Sequence, residues 1–355
     1  MRFNTLTKTA MALCGAAGLI SPAVAEQKSS FKIAWTIYAG WMPWGYAADH
    51  GIVKKWADKY GIKVDVVQLN DYVESQNQYT SGTFDGVLST NMDAISIPAA
   101  GGVDTTTLIV GDYSNGNDKI ILKGKNKLKD IKGQKINIVE FSVSEYLLVR
   151  ALESVGMTEK DVTIVNTSDA DMVAASKSPD VTAITTWNPM AAEILKEPGM
   201  TSVFDSTQIP GEIMDICVIN TQTLKDNPKL GKALVGAWYE VMSIMTKDDA
   251  EGVAARTAMA AASGTDLPGY EAQLDATYLF ADPKKAVAFV EDGEVKKYMD
   301  LVRNFLFEKG LLGEGAQSAD AVGIELADGE VLGDKSNVKF RFTSEYMKMA
   351  AEGKL

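Results

Sequence analysis

Short apolar runs alternate with amphipathic stretches through about the first 220 residues of this 355-residue chain. Apolar runs of this length are typical of buried strands, whereas the stretches between them repeat apolar positions at helical spacing. Such alternation favours an α/β fold built on a parallel or mixed sheet. The predicted strands are residues 31–37, 64–69, 86–88, 107–110, 119–122, 135–139, 162–165, 183–186 and 215–220.

The helical pattern changes after Thr223, where almost no alternating segment interrupts it. Helices between the strands are predicted at residues 43–60, 72–81, 92–100, 144–155, 169–176 and 189–195. Later helices are predicted at residues 229–246, 248–264, 270–279, 283–291, 293–309 and 342–351. Two neighbouring α/β lobes joined by crossing strands would explain this layout. Lobe one would hold residues 31–118 plus 218–355, and lobe two residues 119–217.

The segment from Met1 to Ala25 has the pattern of a secretory signal peptide. Arg2 and Lys8 precede an apolar stretch, and an Ala-x-Ala sequence ends at Ala25. Cleavage after Ala25 would place the protein in the periplasm. Cys14 follows Leu13 rather than a small residue, so no lipoprotein anchor is expected.

The mature chain is predicted to be a monomer that has no intramolecular disulfide and no membrane-spanning segment. Removal of the leader leaves Cys217 as the sole cysteine. The mature segment, from Glu26 to Leu355, is long enough for two hydrophobic cores. It carries 33 basic and 47 acidic residues, a net charge of −14. This charge excludes nucleic acid as a favourable partner and mildly favours a cationic solute.

Aromatic residues are densest directly after the first predicted strand. Tyr38, Trp41 and Trp44 surround a turn at Gly40 and a helix start at Pro43. Ligands of open α/β sheets bind at the carboxyl ends of strands, where such rings can stack on a flat or cationic molecule. A hydrophobic core at a strand–helix corner is the alternative.

Three further strand–helix junctions, at residues 89–93, 140–145 and 185–189, carry polar, acidic and aromatic side chains. An anion site would combine helix N-termini with basic or amide groups, yet none of the four junctions contains Lys or Arg. Carboxylates among aromatic rings instead suit a planar cation such as guanidinium. Helix capping is the alternative role of the acidic residues. The remaining candidate ligand-binding residues are Thr90, Asn91, Asp93, Asp112, Glu140, Ser142, Ser144, Glu145, Trp187 and Asp215.

Enzyme motifs are largely missing from the sequence. The sole histidine, His50, is predicted to end the first helix with Gly51 as its cap. One histidine and one mature cysteine provide no zinc site and no Ser-His-Asp triad. Residues 112–118 are predicted to form a turn rather than a calcium loop. We therefore predict no catalytic residue, metal or cofactor, although catalysis by carboxylates alone stays formally open.

Several segments resemble the solute-binding proteins of nitrate/sulfonate/taurine-type ABC importers. Residues 43–55 look like the family's Pro-led first helix, and residues 82–85 like its Gly-x-x-Asp before a strand. Residues 128–136 are similar to its Leu-x-Asp-Leu-x-Gly-Lys-x-Ile, residues 142–156 to its Ser-rich loop and helix, and residues 187–189 to its Trp-x-Pro. The order and spacing of these motifs cover most of residues 31–220.

The resemblance implies a type II periplasmic-binding-protein fold, in which two hinged lobes hold a solute and deliver it to an inner-membrane ABC permease. The acidic, aromatic junctions depart from the anion-binding members. The chain looks closest to the branch associated with urea-carboxylase or guanidine-degradation systems. Guanidinium is therefore the first expected ligand and urea the second, with nitrate or a sulfonate as alternatives. An enzyme resembling the thiamine-pyrimidine synthases on the same fold is disfavoured because clustered cysteines are missing.

Overall fold

The computed structural model describes residues 28–355, so the predicted leader lies outside the described residues. Its strands form a nine-stranded and a five-stranded sheet. The larger, first sheet has the order β13-β12-β14-β4-β10-β3-β1-β2, with β11 paired to β4. Its strands are β1 Ser30–Trp35, β2 Lys63–Gln68, β3 Gly86–Thr90, β4 Thr105–Ser114, β10 Met214–Asn220, β11 Thr277–Leu279, β12 Gly323–Glu325, β13 Val331–Leu332 and β14 Val338–Phe342.

The second sheet has the order β7-β6-β8-β5-β9. Strands β6, β7 and β8 pair in parallel, and β5 is antiparallel to both β8 and β9. Both sheets are therefore mixed, as the sequence predicts. The strands are β5 Lys119–Lys123, β6 Lys135–Ile138, β7 Thr163–Asn166, β8 Ala183–Thr186 and β9 Met200–Asp205.

Helices cover both sheets, and the later ones pack on the first sheet, on one another and on the two helices that follow the first strand. Up to β10 they are α1 Met42–Asp49, α2 Ile52–Lys59, α3 Tyr72–Thr80, α4 Asn91–Ala94, α5 Val143–Ser154, α6 Asp169–Ser176 and α7 Met190–Ile194. Those after β10 are α8 Thr221–Asp226, α9 Pro228–Met245, α10 Ala250–Ala262, α11 Leu267–Asp275, α12 Pro283–Val290, α13 Gly293–Glu308 and α14 Glu345–Ala351. None of the helices in the described part combines the length and the hydropathy needed to cross a bilayer.

The chain passes between the sheets twice, through residues 115–118 and 206–213. Hydrogen bonds connect the two crossings: Ser114 Oγ lies 2.7 Å from Ser206 Oγ, and the Ser206 amide donates to the Asp118 carbonyl at 3.0 Å. The turn predicted at residues 112–118 is confirmed for residues 115–118, which separate β4 from β5, and is wrong for residues 112–114, which belong to β4. The lobe boundaries given above stay predictions.

Some predicted elements are wrong in detail. The single helix at 43–60 is two helices, because Gly51 takes a left-handed conformation with φ of 72°. The helix at 92–100 is the single turn of α4 followed by a wider π-type turn at Ile95–Ala99. The helix at 270–279 ends at Asp275, after which Thr277–Leu279 adds a strand to β4.

The largest error concerns the C-terminal part, which contributes four strands to the first sheet. Residues 338–342 do alternate between apolar and basic side chains, but the segment is short and adjoins a helix. Its strand conformation is stabilised by parallel pairing with β4, a partner from the first third of the chain. β9 was missed as well, and it forms the edge of the second sheet.

Candidate functional site

A small chamber lies between the two sheets, where strand ends and both crossings meet. Its volume is 20 Å³, compared with the roughly 10–15 Å³ that one water needs. No lining side chain is more than 6 % exposed, so the chamber is nearly closed. It therefore accommodates only a solute of a few heavy atoms. The lining residues are Tyr38, Trp41, Tyr72, Thr90, Asp118, Val143, Trp187, Ile213 and Asp215.

Strand register places three polar side chains next to one another beside this chamber. β10 runs antiparallel between β3 and β4, and Asp215 is opposite Thr90 on one side and Asp112 on the other. Residues directly opposite in a sheet project from the same face. The carboxyl groups of Asp112 and Asp215 consequently lie within hydrogen-bonding reach of each other.

The loop after β1 contacts this carboxyl pair. The Tyr38 hydroxyl donates to Asp112 Oδ1 at 2.9 Å. Gly40 approaches so closely that a Cβ there would collide with Asp112 Oδ2, an oxygen that is buried and has no hydrogen-bond partner. Glycine at position 40 is thus required by packing.

Asp118 is positioned by the first crossing. Its amide donates to Ser114 Oγ at 3.1 Å, and its carbonyl accepts from the Ser206 amide of the second crossing. The neighbouring Asn117 accepts a hydrogen bond from Asn188 at 2.8 Å and donates to Tyr38 at 3.3 Å. The crossing is thereby fixed to the first sheet and to the loop after β8.

Asp93, at the start of α4, lies behind the chamber lining, where it contacts the lining residues Tyr72 and Thr90. Its Oδ2 accepts from the Tyr72 hydroxyl at 2.7 Å and from Thr90 Oγ1 at 2.9 Å. The Val143 amide, at the N-terminus of α5 on the second sheet, lies 3.5 Å from the same oxygen. Asp93 Oδ1 is buried and has no partner.

Four buried carboxyl groups lie in the chamber lining or directly behind it: those of Asp118 and Asp215 in the lining, and those of Asp93 and Asp112 behind it. Among residues 28–355, no Lys, Arg or His forms an ion pair within 4.0 Å of any of them. Burial raises the pKa of Asp93 and of Asp118 to about 6 and that of Asp112 to about 7. The pKa of Asp215 is raised well above its ordinary value by burial and by the charge of Asp112. Near neutral pH this cluster would be stabilised by a bound positive charge.

Aromatic rings form the remaining walls. Trp41 packs against Tyr38 with centroids 5.2 Å apart and against Tyr72 at 5.9 Å. Tyr72 in turn meets the edge of Trp187 at 5.9 Å. Rings from the loops after β1, β2 and β8 therefore surround the acidic groups.

Two of the predicted site residues are packed elsewhere. Trp44 stacks on Trp238 of α9 with centroids 5.3 Å apart. Asn91 accepts from the Met214 amide at 3.0 Å and donates to the Glu212 carbonyl at 3.1 Å. Both side chains are fully occupied by these structural contacts.

The predicted residues near α5 also lie outside the chamber lining. Ser142 caps α5, with its Oγ accepting from the Ser144 amide at 3.2 Å, and Ser144 Oγ is buried without a partner. Glu140 and Ser142 line a separate outer cavity. Glu145 is 1 % exposed and is paired with Lys309 of α13 at 2.6 Å. Tyr38, Trp41, Thr90, Trp187 and Asp215 are the predicted residues that line the chamber directly.

Four lining residues were missed: Tyr72, Asp118, Val143 and Ile213. The rule that identified Trp41 could have identified Tyr72, because it follows the carboxyl end of β2 in the same way. Asp118 stood inside the predicted turn, where its role as a turn residue concealed it. Val143 and Ile213 carry no chemical signal that separates them from core residues.

The groups most relevant to enzyme chemistry lie away from the chamber. His50 stacks on Tyr46 with centroids 3.8 Å apart, and its ring nitrogen contacts the Tyr46 carbonyl at 3.0 Å, in agreement with a helix-ending role. Cys217 is buried in the first sheet, and burial raises the pKa of its thiol. Within the described residues no group of three His, Cys, Asp or Glu side chains is arranged to hold a metal ion.

The profile of the NMT1/THI5-like family matches residues 52–251, more than half of the chain. The chain belongs to the NMT1/THI5-like family. Relatives of this NMT1/THI5-like protein named as binding proteins in Brucella abortus and Brucella suis are 25% identical to it over 164 residues. The match covers 45% of this chain. The chain spans about half (50%) of the length of these curated relatives.

Solved structures similar to this NMT1/THI5-like protein include three binding proteins. The alkanesulfonate-binding protein of Xanthomonas axonopodis pv. citri, bound to MOPS, aligns with a TM-score of 0.65 at 15% identity over 84% of this chain and 99% of its own. The periplasmic aliphatic sulphonate binding protein of Escherichia coli aligns with a TM-score of 0.64 at 19% identity, over 80% of this chain and 94% of its own. The periplasmic nitrate-binding protein of Synechocystis aligns with a TM-score of 0.56 at 13% identity, over 93% of this chain and 99% of its own. These likenesses confirm the predicted periplasmic-binding-protein fold.

Proposed function

We propose that this protein is a periplasmic solute-binding receptor of an ABC importer, which captures a small planar cation, guanidinium first of all, and delivers it to a permease. The leading observation is the set of four buried carboxyl groups for which the described chain supplies no ion-pair partner. Buried charge is costly unless it is paired. A cationic ligand would provide the missing charge.

The geometry supports a planar cation in particular. Asp118 and Asp215 line the chamber together with the faces and edges of Tyr38, Trp41 and Trp187. Guanidinium can stack on a ring while its N–H groups donate to carboxylates. The chamber volume of 20 Å³ favours guanidinium itself over cations with long substituents.

The receptor role accords with the fold and with its relatives. The chamber is built from elements of both sheets, so separation of the sheets would open it and closure would remove water from the bound charge. The two lobes would move relative to each other about the crossings at residues 115–118 and 206–213. Lobe one would be residues 31–118 plus 218–355, and lobe two residues 119–217. A monomer in the periplasm, working with an inner-membrane permease, completes the proposal.

Urea is the second candidate because one chamber group suits a neutral solute. The indole Nε1 of Trp41 is buried without a hydrogen-bond partner and can donate only. A carbonyl oxygen would accept from it, and the amide groups of urea would donate to the carboxyl groups. Nitrate or a sulfonate would place a negative charge among four carboxyl groups, which makes these anions less favourable.

An enzyme on the same fold is a weaker alternative. Cys217 is buried in a sheet and His50 lies outside the chamber, so neither can act on a solute held there. No group in the chamber offers a nucleophile other than carboxylates and hydroxyls.

Calorimetry on the mature protein tests the proposal with guanidinium, urea, nitrate and taurine at pH 6 and pH 8. Guanidinium is expected to bind more tightly at pH 8, because the raised pKa values leave the carboxyl groups partly protonated at pH 6. Urea binding with little pH dependence would favour the neutral solute. Binding of nitrate or taurine alone would overturn the cation proposal and leave the receptor role standing.

A further inference from the structure

A second cavity of 630 Å³ lies outside the chamber, between α3 and α4 on the first sheet and the loops after β6 and β7 on the second. We call it the acidic vestibule. Its lining includes Asp71, Glu74, Asp93, Glu140 and Asp169, and within the described residues no Lys, Arg or His lines it. Both halves of the molecule therefore present carboxylates to one solvent-filled opening.

Asp93 gives the acidic vestibule a feature that a random acidic surface lacks. The side chain is 0 % exposed, and Oδ2 is occupied by Tyr72 and Thr90. Oδ1 has no hydrogen-bond partner, although Asp93 lines the cavity. A buried acceptor without a partner is costly, and a donor cation arriving from the cavity would satisfy it.

The arrangement does not suit a chelated metal. Within residues 28–355 no three acidic, His or Cys side chains approach closely enough to hold a metal ion. Carboxylates distributed around a wide opening instead raise the local concentration of a diffusing cation. An organic monocation that sheds enough water to donate to Asp93 fits this arrangement.

Tyr72 connects the acidic vestibule with the chamber, because it lines both cavities. Another open cavity, at Tyr113, Tyr278, Lys285 and Tyr298, shares no lining residue with the chamber. It also carries a lysine and no carboxylate. Access for a cation is thus more favourable from the Tyr72 side.

We propose that the acidic vestibule is the entry route of the receptor, where an organic monocation is concentrated at Glu74, Glu140 and Asp93 before it passes Tyr72 into the chamber. The proposal rests on the proposed function for the identity of the transported solute. Accumulation of cations in the acidic vestibule does not depend on that identity, so the two can fail separately.

The first experiment uses a probe too large for the chamber. A trimethylammonium nitroxide and a neutral nitroxide of similar size are added separately to ²H,¹⁵N-labelled protein, and the relaxation of the Phe141 and Ser168 amides is compared. The cation should relax these amides about threefold more than the neutral probe at low ionic strength, and equally at high salt. Equal relaxation at low salt would overturn the proposal.

A matched pair of variants locates the effect. Glu74→Gln/Glu140→Gln keeps hydrogen-bonding side chains but removes two charges, and should lower the cation-to-neutral ratio towards one. Asp180→Asn removes an exposed charge before β8, at the end of that strand away from the chamber, and should leave the ratio unchanged. A loss per removed charge that is as large in Asp180→Asn as in the double variant would show a net-charge effect and contradict the proposal.

The second experiment follows guanidinium binding by stopped-flow tryptophan fluorescence. The Glu74→Gln/Glu140→Gln variant should associate about threefold more slowly at low salt with an unchanged dissociation rate, since steering acts on association. A faster dissociation with unchanged association would contradict the entry role. If guanidinium does not bind the wild-type protein, the proposed function fails, and the nitroxide experiment still decides on the acidic vestibule.

Discussion

Two regions with buried carboxylates differ in whether the described chain itself supplies the opposite charge. Between α5 and α13, Glu145 is paired with Lys309, and Glu212 accepts two hydrogen bonds from Arg150 at 2.9 Å each. In the chamber lining and directly behind it, Asp112, Asp118 and Asp215 have no such partner within the described chain. In the first arrangement, loss of the cation would leave a buried charge uncompensated, whereas in the second the carboxyl groups are already without an ion-pair partner.

The largest expected effect comes from breaking the paired region. Lys309→Met leaves Glu145, which is 1 % exposed, without its cation, and should destabilise the protein by about 3–5 kcal/mol. Urea denaturation of the ligand-free protein measures this loss. The double variant Lys309→Met/Glu145→Gln should recover part of it, because the buried charge is gone. An unchanged stability in Lys309→Met would mean that solvent compensates Glu145.

In the chamber, by contrast, removal of a charged group should not lower the stability of the ligand-free protein. Asp118→Asn removes a carboxyl group whose charged form is costly to bury, so the ligand-free protein should become no less stable. Guanidinium affinity should fall by about 100-fold, in the range measured when one partner of a buried, hydrogen-bonded charge pair is lost. Calorimetry with Asp180→Asn as control checks this. Unchanged affinity would place the cation elsewhere.

The raised pKa values of the unpaired carboxyl groups also predict how the stability of the protein depends on pH. Burial raises the pKa of Asp118 to about 6 and of Asp112 to about 7, above the roughly 3.9 of an unfolded aspartate. Between those values the folded protein binds more protons than the unfolded chain, so stability falls as pH rises from about 4 to 7.

Thermal unfolding of the ligand-free protein should therefore begin at lower temperature at pH 7.5 than at pH 5.5. Asp112→Asn should flatten this dependence while its side-chain oxygen still accepts from Tyr38. Asp180→Asn should retain the wild-type slope. A rise in stability with pH in the wild type would contradict the raised pKa values.

The smallest expected effects on binding and stability distinguish Trp41 from Trp44, which are three positions apart. Trp41→Phe should weaken guanidinium binding several-fold, since a cation–π contact is worth about 1 kcal/mol, with little change in stability. Trp44→Phe should instead lower stability, because Trp44 stacks on Trp238 in the core. Paired calorimetry and denaturation measure both quantities. Loss of affinity in Trp44→Phe alone would reverse the assignment.

These residues also show what a sequence can predict. Trp41, Thr90 and Trp187 are identified by the sequence because each lies at or after the carboxyl end of a strand, and that position brings the side chain to the sheet edge. Trp44 follows the same strand as Trp41, yet its direction depends on where α9 packs, a contact between segments that are far apart in the chain. Local pattern cannot specify such a contact.

Glu145 and Asp118 show that the surroundings of a charged side chain also depend on contacts between distant segments. Glu145 stands beside a candidate loop, but its partner Lys309 is 164 positions away and outside every predicted junction. Asp118 belongs to a turn by composition, and only the passage between the sheets brings it to the chamber. The strands of the last third were missed because β14 depends on pairing with β4.

Asp118 sits on a crossing segment that is hydrogen-bonded to the other crossing through Ser114 and Ser206. Both contacts of Asp118 use its backbone amide and carbonyl, whereas its side chain lines the chamber. For anyone who builds a biosensor from this scaffold, solute selectivity and the hydrogen bonding of the crossing are therefore separate variables. Selectivity can be redesigned at position 118 as well as at Trp187 or Thr90, while the bonds between the crossings are kept.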